Sequence, residues 1–396
     1  MQFTLQKYRI LLLATRAKDW RFSFIPQIFG NLYLWLILFD IPFSISSVLL
    51  LILSLITSFG FAALGYFINE FFDKEDDENS NKVNKLKLVS SINQFWLFVL
   101  ILLFTFLPWY FLPFNNISVI LILTQIALFI LYCVPPIRLK KNAYLAVVLD
   151  ALYAYTIPLL LSYYTYFLFA GSNTIYFSFL FTYSFLLFIA GFRNIIIHYI
   201  NDIFKDKLSG TKTLPRIIGV RKTNTLLKII LYSELFISTI VIILVTLKQS
   251  ILCLLFIIVL YLIYKAIKQT RNLKDEIIVN RPIRHIPDLY YQVFAPVIIL
   301  FALILNNINW FFLFPIHIAL FVPFFRLQPI ISWLHRISFK IYYILTLLKL
   351  YYIMIRQLLS WIVNYTIFFL FLLIGVNLKN RKTSALGYIK TKLKIK

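Results

Sequence analysis

The sequence predicts an all-α protein, a polytopic membrane helical bundle of nine transmembrane helices with a hydrophobic, basic C-terminal extension. Hydrophobic residues make up 61% of the chain and charged residues 14%, whereas soluble domains are about half apolar and about a quarter charged. Apolar runs of about 17 to 25 residues recur, each long enough to cross a hydrocarbon core of about 30 Å. The alternation typical of a membrane β-barrel is not found, and helices satisfy their own backbone polar groups in lipid.

Nine apolar runs follow a basic, amphipathic lead-in at residues 1–21. The start has no small-residue cleavage site, so a removable signal peptide is not expected. The hydropathy pattern predicts spans at 22–40, 46–70, 95–113, 117–134, 144–169, 175–200, 224–247, 249–267 and 288–305.

The loops between these spans alternate in charge. Lys and Arg follow the second, fourth, sixth and eighth spans, whereas Lys248 is the lone basic residue in the loops on the other side. By the positive-inside rule, the even-numbered spans end at the cytoplasm. The same dispersal explains the net charge of +24 without a nucleic-acid partner. We therefore expect an integral, multi-pass membrane protein, in the inner membrane if the source is bacterial, with its site facing the cytoplasm.

The C-terminal part is harder to assign. Apolar residues fill 309–325 and 341–375, and a basic tail follows. If both stretches crossed the membrane once, the tail would lie outside, so one of them is expected to lie in the interface. The predicted domains are 1–305, the membrane catalytic domain, and 306–396, a membrane-associated extension of unknown role.

Carboxylates are concentrated in two short stretches that each follow an even-numbered span. Eight of the 15 acidic residues lie there: Glu70, Asp73, Glu75, Asp76, Asp77, Glu78, Asp202 and Asp206. Residues four apart share one side of a helix, so Asn69, Asp73 and Asp77 align, as do Asp202 and Asp206. Neighbouring carboxylates repel one another unless a cation binds. Hard oxygen ligands at a wet membrane edge suit Mg²⁺, which commonly also binds substrate phosphates.

Other residues near these stretches are also candidates. Arg138 and Lys140 follow the fourth span, where they would either bind a diphosphate or anchor the topology. Asp150, on the fifth span near its basic end, is a candidate for the acceptor site, because intramembrane carboxylates are commonly functional. His198 precedes Asp202 by four residues and is either a site residue or a structural histidine. Cys133 and Cys253 are far apart, which argues against a zinc site.

Three motifs in order along the chain resemble the signature of the UbiA-type intramembrane prenyltransferases. They are Asn69-x-x-x-Asp73-x-x-x-Asp77, then Tyr132-Cys-Val-Pro-Pro-Ile-Arg-Leu-Lys140, then Asp202-x-x-x-Asp206-x-x-x-Gly210-x-x-Thr213-Leu-Pro215. The resemblance covers about residues 16 to 305 and implies a nine-helix architecture. It also implies Mg²⁺-dependent transfer of a polyprenyl group from its diphosphate to a small-molecule acceptor, with the isoprenoid tail in an apolar tunnel open to lipid.

The resemblance assigns a role to each motif. Asn69, Asp73 and Asp77 would hold one Mg²⁺, and Asp202 and Asp206 a second, with the diphosphate bridging the two ions. Arg138 and Lys140 would contact the diphosphate directly.

Three departures from the family pattern matter. Asp76 lies beside Asp77, so either could be the metal ligand, and Glu70 stands where many relatives have Asp or Gln. Residues 79–87 lack the Arg-Pro pair found in the subgroups that make haem O, chlorophyll and archaeal ether lipids.

The favoured acceptor is therefore an aromatic ring, as in quinone biosynthesis. A non-aromatic acceptor such as a glycerol phosphate, as in ether-lipid synthesis, is the nearest alternative. A membrane cation transporter is a more distant one, since transporters commonly place their charges near the bilayer midplane. A family member that has lost activity and serves as a membrane or partner platform is the third.

Overall fold

The structure is a computed structural model that describes residues 17–79, 83–208, 211–271 and 286–321. Within these ranges the chain is helical and contains no β-strand. The chain divides into two compact units, one of Leu13–Leu313 and one of Met1–Leu12 with Phe314–Lys396. Every predicted site residue lies in the first unit. The predicted boundary after residue 305 remains a prediction.

The described residues of the first unit contain nine long helices. They are α1 (Ala17–Leu38), α2 (Ile45–Phe72), α3 (Ser91–Phe106), α4 (Asn116–Cys133), α5 (Ala143–Phe169), α6 (Phe177–Asn201), α7 (Val220–Thr246), α8 (Leu254–Arg271) and α9 (Ile286–Asn306). Four short helices are Lys74–Asn79, Ile203–Leu208, Leu214–Ile218 and Leu313–Phe321.

Eight stretches of the described residues, at α2 to α9, are long and apolar enough to cross a membrane. The protein is therefore an integral, multi-pass membrane protein. The apolar stretch described in α1, Phe24–Leu38, is shorter than those of α2 to α9. The predicted bounds agree with the helices to within about seven residues, the largest difference being at the end of α3. A total of nine spans remains a prediction, because the first predicted span, 22–40, falls on this shorter helix.

Side-chain caps define where several helices begin. Ser44 and Ser47 form a reciprocal capping box at the start of α2, and Asn115 forms another with Ser118 at α4. Asn142 accepts from two backbone N–H groups at the start of α5. These side chains satisfy N–H groups that lack a partner within the helix, so the polar loop residues set the helix register.

Small residues let neighbouring helices approach closely, as is common in membrane bundles. A Cβ at Gly60 of α2 would lie 2.5 Å from the backbone nitrogen of Thr105 on α3. A Cβ at Gly191 of α6 would lie 2.9 Å from Cα of Ala151 on α5. The second approach brings α5 and α6 together along their middle parts.

A buried ion pair joins α6 to α7. Arg193 Nε donates to Glu234 Oε2 at 2.7 Å, and the side chains are 0% and 1% exposed. Breaking such a pair by removing one partner costs about 3–5 kcal/mol, because the remaining charge is left buried. Sequence analysis missed this pair. The pair could have been predicted, because Arg193 and Glu234 are opposite charges inside the predicted spans 175–200 and 224–247.

Much of the predicted extension lies outside the described residues. The stretch 309–325 is described only to Phe321, as a short 3₁₀ turn, Ile308–Phe312, and the helix Leu313–Phe321. The stretch 341–375, the basic tail, the lead-in before Ala17 and Gly210 all lie outside the described ranges.

Candidate active site

The first acidic motif lies where α2 ends. Asn69 is in the last turn of α2, and Asp73 is the C-cap, with φ −93° and ψ 1°. The short helix Lys74–Asn79 follows at once and contains Asp77. The Asp73 N–H donates to the Asn69 carbonyl at 3.0 Å, and the Asp77 N–H donates to the Asp73 carbonyl at 2.8 Å. The helical spacing of the three residues is thus kept across the helix end.

The basic motif lies where α4 ends. Arg138 adopts the left-handed backbone conformation, with φ 38° and ψ 58°, which is strained by roughly 1–3 kcal/mol for a non-glycine residue and often marks a functional site. Its guanidinium donates to the carbonyl of Phe72 at 3.1 Å and to Asp73 Oδ1 at 2.5 Å. The side chain therefore fastens the end of α4 to the end of α2.

Lys140 lies between two side-chain oxygens of the first acidic motif. Its ammonium donates to Asn69 Oδ1 at 2.8 Å and also to Asp73 Oδ1. The amide oxygen and the carboxylate oxygen thus converge on one positive charge, and both side chains of the Lys140–Asp73 pair are mostly buried. Two hard oxygen donors that already hold a cation fit the ligand set of Mg²⁺.

The two adjacent carboxylates of the first motif differ in their contacts. Asp76 Oδ2 lies 2.8 Å from Arg138 Nη2 and 3.7 Å from Lys141 Nζ. Asp77 Oδ2 instead accepts from Asn84 Nδ2 at 2.9 Å. Asp76 therefore shares the arginine of Asp73, whereas Asp77 is tied to the loop that follows.

Asn84 and Glu70 close that loop, and sequence analysis did not single out Asn84. The Asn84 amide also donates to the carbonyl of Glu70 at 2.8 Å, and Glu70 Oε2 accepts from the N–H of Lys85 at 3.1 Å. Both Asn84 and Glu70 are buried. Glu70 thus serves a structural contact, which its position in an acidic run did not indicate.

Lys74 directly follows Asp73 at the same end of α2. Its ammonium donates to Gln94 at 3.0 Å and lies 4.4 Å from the centre of the Phe71 ring. Partial burial, together with the nearby Lys87, lowers the pKa of Lys74.

The second acidic motif lies where α6 ends. Asp202 is the C-cap, and its N–H donates to the carbonyl of His198 at 3.0 Å. Asp206 is on the short helix Ile203–Leu208, is buried, and its N–H donates to the Asp202 carbonyl at 2.9 Å. His198 Nε2 lies 3.4 Å from Asp202 Oδ2, so the histidine is next to the motif.

Arg216 fixes the turn that follows the second motif. Its guanidinium donates to the carbonyl of Asp206 at 2.7 Å and also to the carbonyl of Thr211. Leu214 and Pro215 behind it are buried, as expected if this segment packs the turn back onto the bundle.

Polar side chains connect the ends of α2 and α6 that carry the two acidic motifs, which we call the first and the second exit. Cys133 Sγ lies 3.4 Å from Asn69 Oδ1, and the neighbouring Tyr132 hydrogen-bonds through its hydroxyl to Tyr199 on α6. Tyr199 in turn lies within electrostatic range of Asp206. The ends of α2, α4 and α6 therefore belong to one side of the bundle, which we call the motif side.

The carboxylates of the two exits do not form a single protein-only metal cage. Among the described residues, no group of three or more His, Cys, Asp or Glu side chains is placed to hold a metal ion. Mg²⁺ usually keeps waters and binds only one or two carboxylates together with substrate phosphates. The arrangement therefore fits an ion that arrives with a diphosphate better than a permanently bound one.

These features define a class of protein: an integral membrane helical bundle with oxygen donors and fixed cations gathered at one end. The sequence model of the UbiA prenyltransferase family matches residues 30–278 of this chain. Since that match covers more than half of the sequence, the chain belongs to the UbiA prenyltransferase family and is a prenyltransferase.

Solved structures similar to this chain include UbiA homologues. A UbiA homolog from Archaeoglobus fulgidus bound to GPP and Mg²⁺ is 17% identical, with a TM-score of 0.47 over 73% of this chain and 99% of that one. The same homolog bound to DMAPP and Mg²⁺ is 15% identical, with a TM-score of 0.43 over 70% of this chain and 98% of that one. Mg²⁺ accompanies the prenyl diphosphate in both.

A third similar structure is described as digeranylgeranylglyceryl phosphate synthase. It is 20% identical, with a TM-score of 0.48 over 74% of this chain and 99% of that one. No curated protein matches the chain.

Proposed function

We propose that this protein transfers a polyprenyl group from a polyprenyl diphosphate to an aromatic acceptor, in a Mg²⁺-dependent reaction of the quinone-biosynthesis type. The supporting observation is the placement of Lys140 between Asn69 Oδ1 and Asp73 Oδ1. That placement supports the proposal because it brings Lys140, the proposed phosphate-binding lysine, to two oxygens that are proposed to bind the metal ion. The basic loops on the motif side favour a cytoplasmic orientation for this site.

Each exit would supply oxygen ligands. Asn69, Asp73 and Asp77 are the ligands at the end of α2, and Asp202 and Asp206 those at the end of α6. Bound there, Mg²⁺ neutralises charge that develops on the departing diphosphate. The hydrogen bond between Tyr132 and Tyr199 joins α4 to α6 beside these two ligand sets.

Arg138 and Lys140 would change partners when substrate binds. In the structure both donate to Asp73, and a divalent cation on that carboxylate would repel them. The phosphate oxygens then offer the nearest negative charge, and an arginine can bind them with two parallel hydrogen bonds. The same side chains thus hold Asp73 in place before binding and contact the leaving group afterwards.

The isoprenoid tail needs apolar space inside the bundle. A pocket between α1, α6, α7, α8 and α9 is lined mainly by apolar side chains, among them Leu34, Val241, Ile242 and Ile299. These residues stand several helical turns from the ends at the motif side. A long prenyl chain that starts at the diphosphate would extend in this direction.

Product identification tests the proposal. Purified full-length protein in lipid vesicles is supplied with Mg²⁺, isotope-labelled prenyl diphosphates of several chain lengths, and a panel of aromatic and glycerol phosphate acceptors. We expect a product whose mass equals that of an aromatic acceptor plus the prenyl group. Adding EDTA, which removes Mg²⁺, should stop its formation.

Three outcomes would contradict it. Prenylation of the glycerol phosphates alone would favour ether-lipid synthesis. Cation flux into the vesicles without any diphosphate would favour a transporter. The absence of Mg²⁺-dependent product with every acceptor would favour a family member that has lost this activity.

A further inference from the structure

One carboxylate inside the bundle has no role in the reaction as described so far. Asp150 is on α5, about 10 Å along the helix from Ala143 at a rise of 1.5 Å per residue. Its side chain is half-buried. Ionisable residues at such depth are costly and usually functional.

Its hydrogen bonding is incomplete. The Tyr153 hydroxyl donates to Asp150 Oδ1. Among the residues that the structure describes, Oδ2 has no recorded donor. An ionised carboxylate accepts up to about four hydrogen bonds, so Asp150 retains accepting capacity toward a ligand.

The backbone next to Asp150 has an unusual form. Residues Leu152–Thr156 make a single π-helical turn within α5, and such turns are rare and frequent at functional sites. Gln125 of α4 donates to the Tyr153 carbonyl at 2.8 Å. A buried glutamine from another helix thus contributes to holding the turn in place.

The turn places the Tyr153 ring against two other aromatic side chains. Its ring centre lies 5.2 Å from that of Phe129 and 5.1 Å from that of Tyr132. Tyr132 in turn hydrogen-bonds to Tyr199, near the second acidic motif. Asp150 is therefore connected through Tyr153 and Tyr132 to Tyr199 on α6.

We propose that Asp150 binds the hydroxyl group of the acceptor and takes its proton as the new bond forms. This inference rests on the proposed function and specifies the acceptor as an uncharged, hydroxylated aromatic molecule. Phe129, Tyr132 and Tyr153 give such a ring offset or edge-to-face neighbours. An anionic acceptor would instead meet Asp150 as a like charge, which is unfavourable.

The bonds and charges of the step balance. The C–O bond of the allylic diphosphate breaks, and its electron pair leaves with the diphosphate. The aromatic ring supplies the electron pair of the new C–C bond to the allylic cation, while the phenolic proton moves to Asp150. The resulting dienone regains its O–H proton from Asp150 and loses the ring proton to water or to the diphosphate, which restores the aromatic ring.

Comparing diphosphate release with product formation tests this assignment. Full-length protein in vesicles receives Mg²⁺ and geranylgeranyl diphosphate, first without acceptor and then with a panel of hydroxylated aromatics and their methyl ethers. The variants are Asp150→Asn and Asp150→Glu, and the control is Tyr144→Phe, on an exposed residue of the same helix.

We expect Asp150→Asn to lower product formation by about 10²–10⁴-fold, the usual contribution of a general base, and acceptor-free diphosphate release by less than about twofold. Asp150→Glu should regain part of the product rate, and Tyr144→Phe should match the wild type. Methylating the acceptor hydroxyl should slow the wild type but add little to the loss in Asp150→Asn.

Three results would overturn the assignment: an unchanged product rate in Asp150→Asn, an equal fall in diphosphate release and product formation, or equal prenylation of the methyl ethers by the wild type. Failure of the proposed function has a different signature, since the wild type would then form no Mg²⁺-dependent product with any of the hydroxylated aromatics.

Discussion

The two acidic exits share a backbone but differ in the side chains around them. At each, an aspartate with φ near −95° and ψ near zero caps a long helix, a six-residue helix follows, and a second aspartate donates its N–H to the carbonyl of the first. Asn69 precedes Asp73 by four residues, and His198 precedes Asp202 by four. The chain thus builds the same turn twice.

The difference lies in where the countercharges come from. Arg138 and Lys140, on a segment more than sixty residues away along the chain, contact Asp73 directly. The contacts described at the second exit come from nearby residues, His198 and Arg216. The first exit therefore depends on the packing of α2 against α4, whereas His198 and Arg216 contact the second exit from within its own stretch of sequence.

The largest expected effect is on catalysis, and both exits should show it. Asp73→Asn and Asp202→Asn should each reduce product formation by about 10²–10³-fold, because each removes charge from a ligand of the diphosphate-bound metal. Their stabilities should differ. Asp73→Asn removes the carboxylate from the mostly buried Lys140 and leaves Arg138 with only Asp76. This should cost about 1–3 kcal/mol, and the melting temperature should fall below that of Asp202→Asn.

Product rates and thermal melting of the two variants, measured in the same detergent, check this prediction. Full activity in either variant would contradict its assignment as a ligand. Equal melting temperatures would contradict the contrast in countercharge.

The next largest effect concerns the basic segment. Lys140→Ala should lower kcat/KM for the prenyl diphosphate by about 100-fold, since it removes a charged contact to the leaving group. Lys141 is the matched control, because its side chain is 61% exposed and its ammonium lies 3.7 Å from Asp76. Lys141→Ala should change kcat/KM by less than about threefold, as for an exposed ion pair. Similar losses in both would mean that the segment acts only as a topology anchor.

A smaller effect is expected for the residues that brace each exit. Asn84→Ala removes the donor to the Glu70 carbonyl and to Asp77, and Arg216→Ala removes the donor to the Asp206 carbonyl. Each should cost about 1–3 kcal/mol, the usual loss when buried acceptors are left unsatisfied. Mg²⁺ titrations of activity should show weaker apparent affinity in both variants. An unchanged titration and melting temperature would show that the loops are held by other contacts.

The smallest effect is expected at the one position where the two exits carry different residues four places before the capping aspartate. His198→Asn gives the second exit the residue that Asn69 supplies to the first. Because His198 is largely exposed, with 57% of its side chain accessible, we expect activity to change by less than about threefold across neutral pH. A loss of 100-fold would instead show that the histidine touches substrate.

The sequence predicted the parts of this comparison that depend on local spacing. Residues four apart had to share a helix side, and charge alternation placed both acidic stretches and Arg138 with Lys140 on one side of the bundle. The hydropathy pattern likewise placed α2 to α9 to within a few residues, because long apolar runs specify helices in lipid.

Other features depend on tertiary packing, which spacing does not encode. Three of them depend on how the chain folds back after α2. Arg138 contacts both Asp73 and Asp76, Asn84 donates a hydrogen bond to Asp77, and Glu70 is buried. The π-helical turn beside Asp150 depends on Gln125 from a neighbouring helix. The left-handed conformation of Arg138 is also unusual for a non-glycine residue, so no residue-type rule predicts it.

The most direct test of the central claim counts the ions held by the two exits. Mn²⁺ replaces Mg²⁺, geranylgeranyl thiodiphosphate serves as a slowly reacting substrate, and electron paramagnetic resonance measures free Mn²⁺ during titration of the full-length protein. Two bound ions per chain are expected in the wild type, and one each in Asp73→Asn and Asp202→Asn. Two ions retained in either variant, or a single ion in the wild type, would contradict the account.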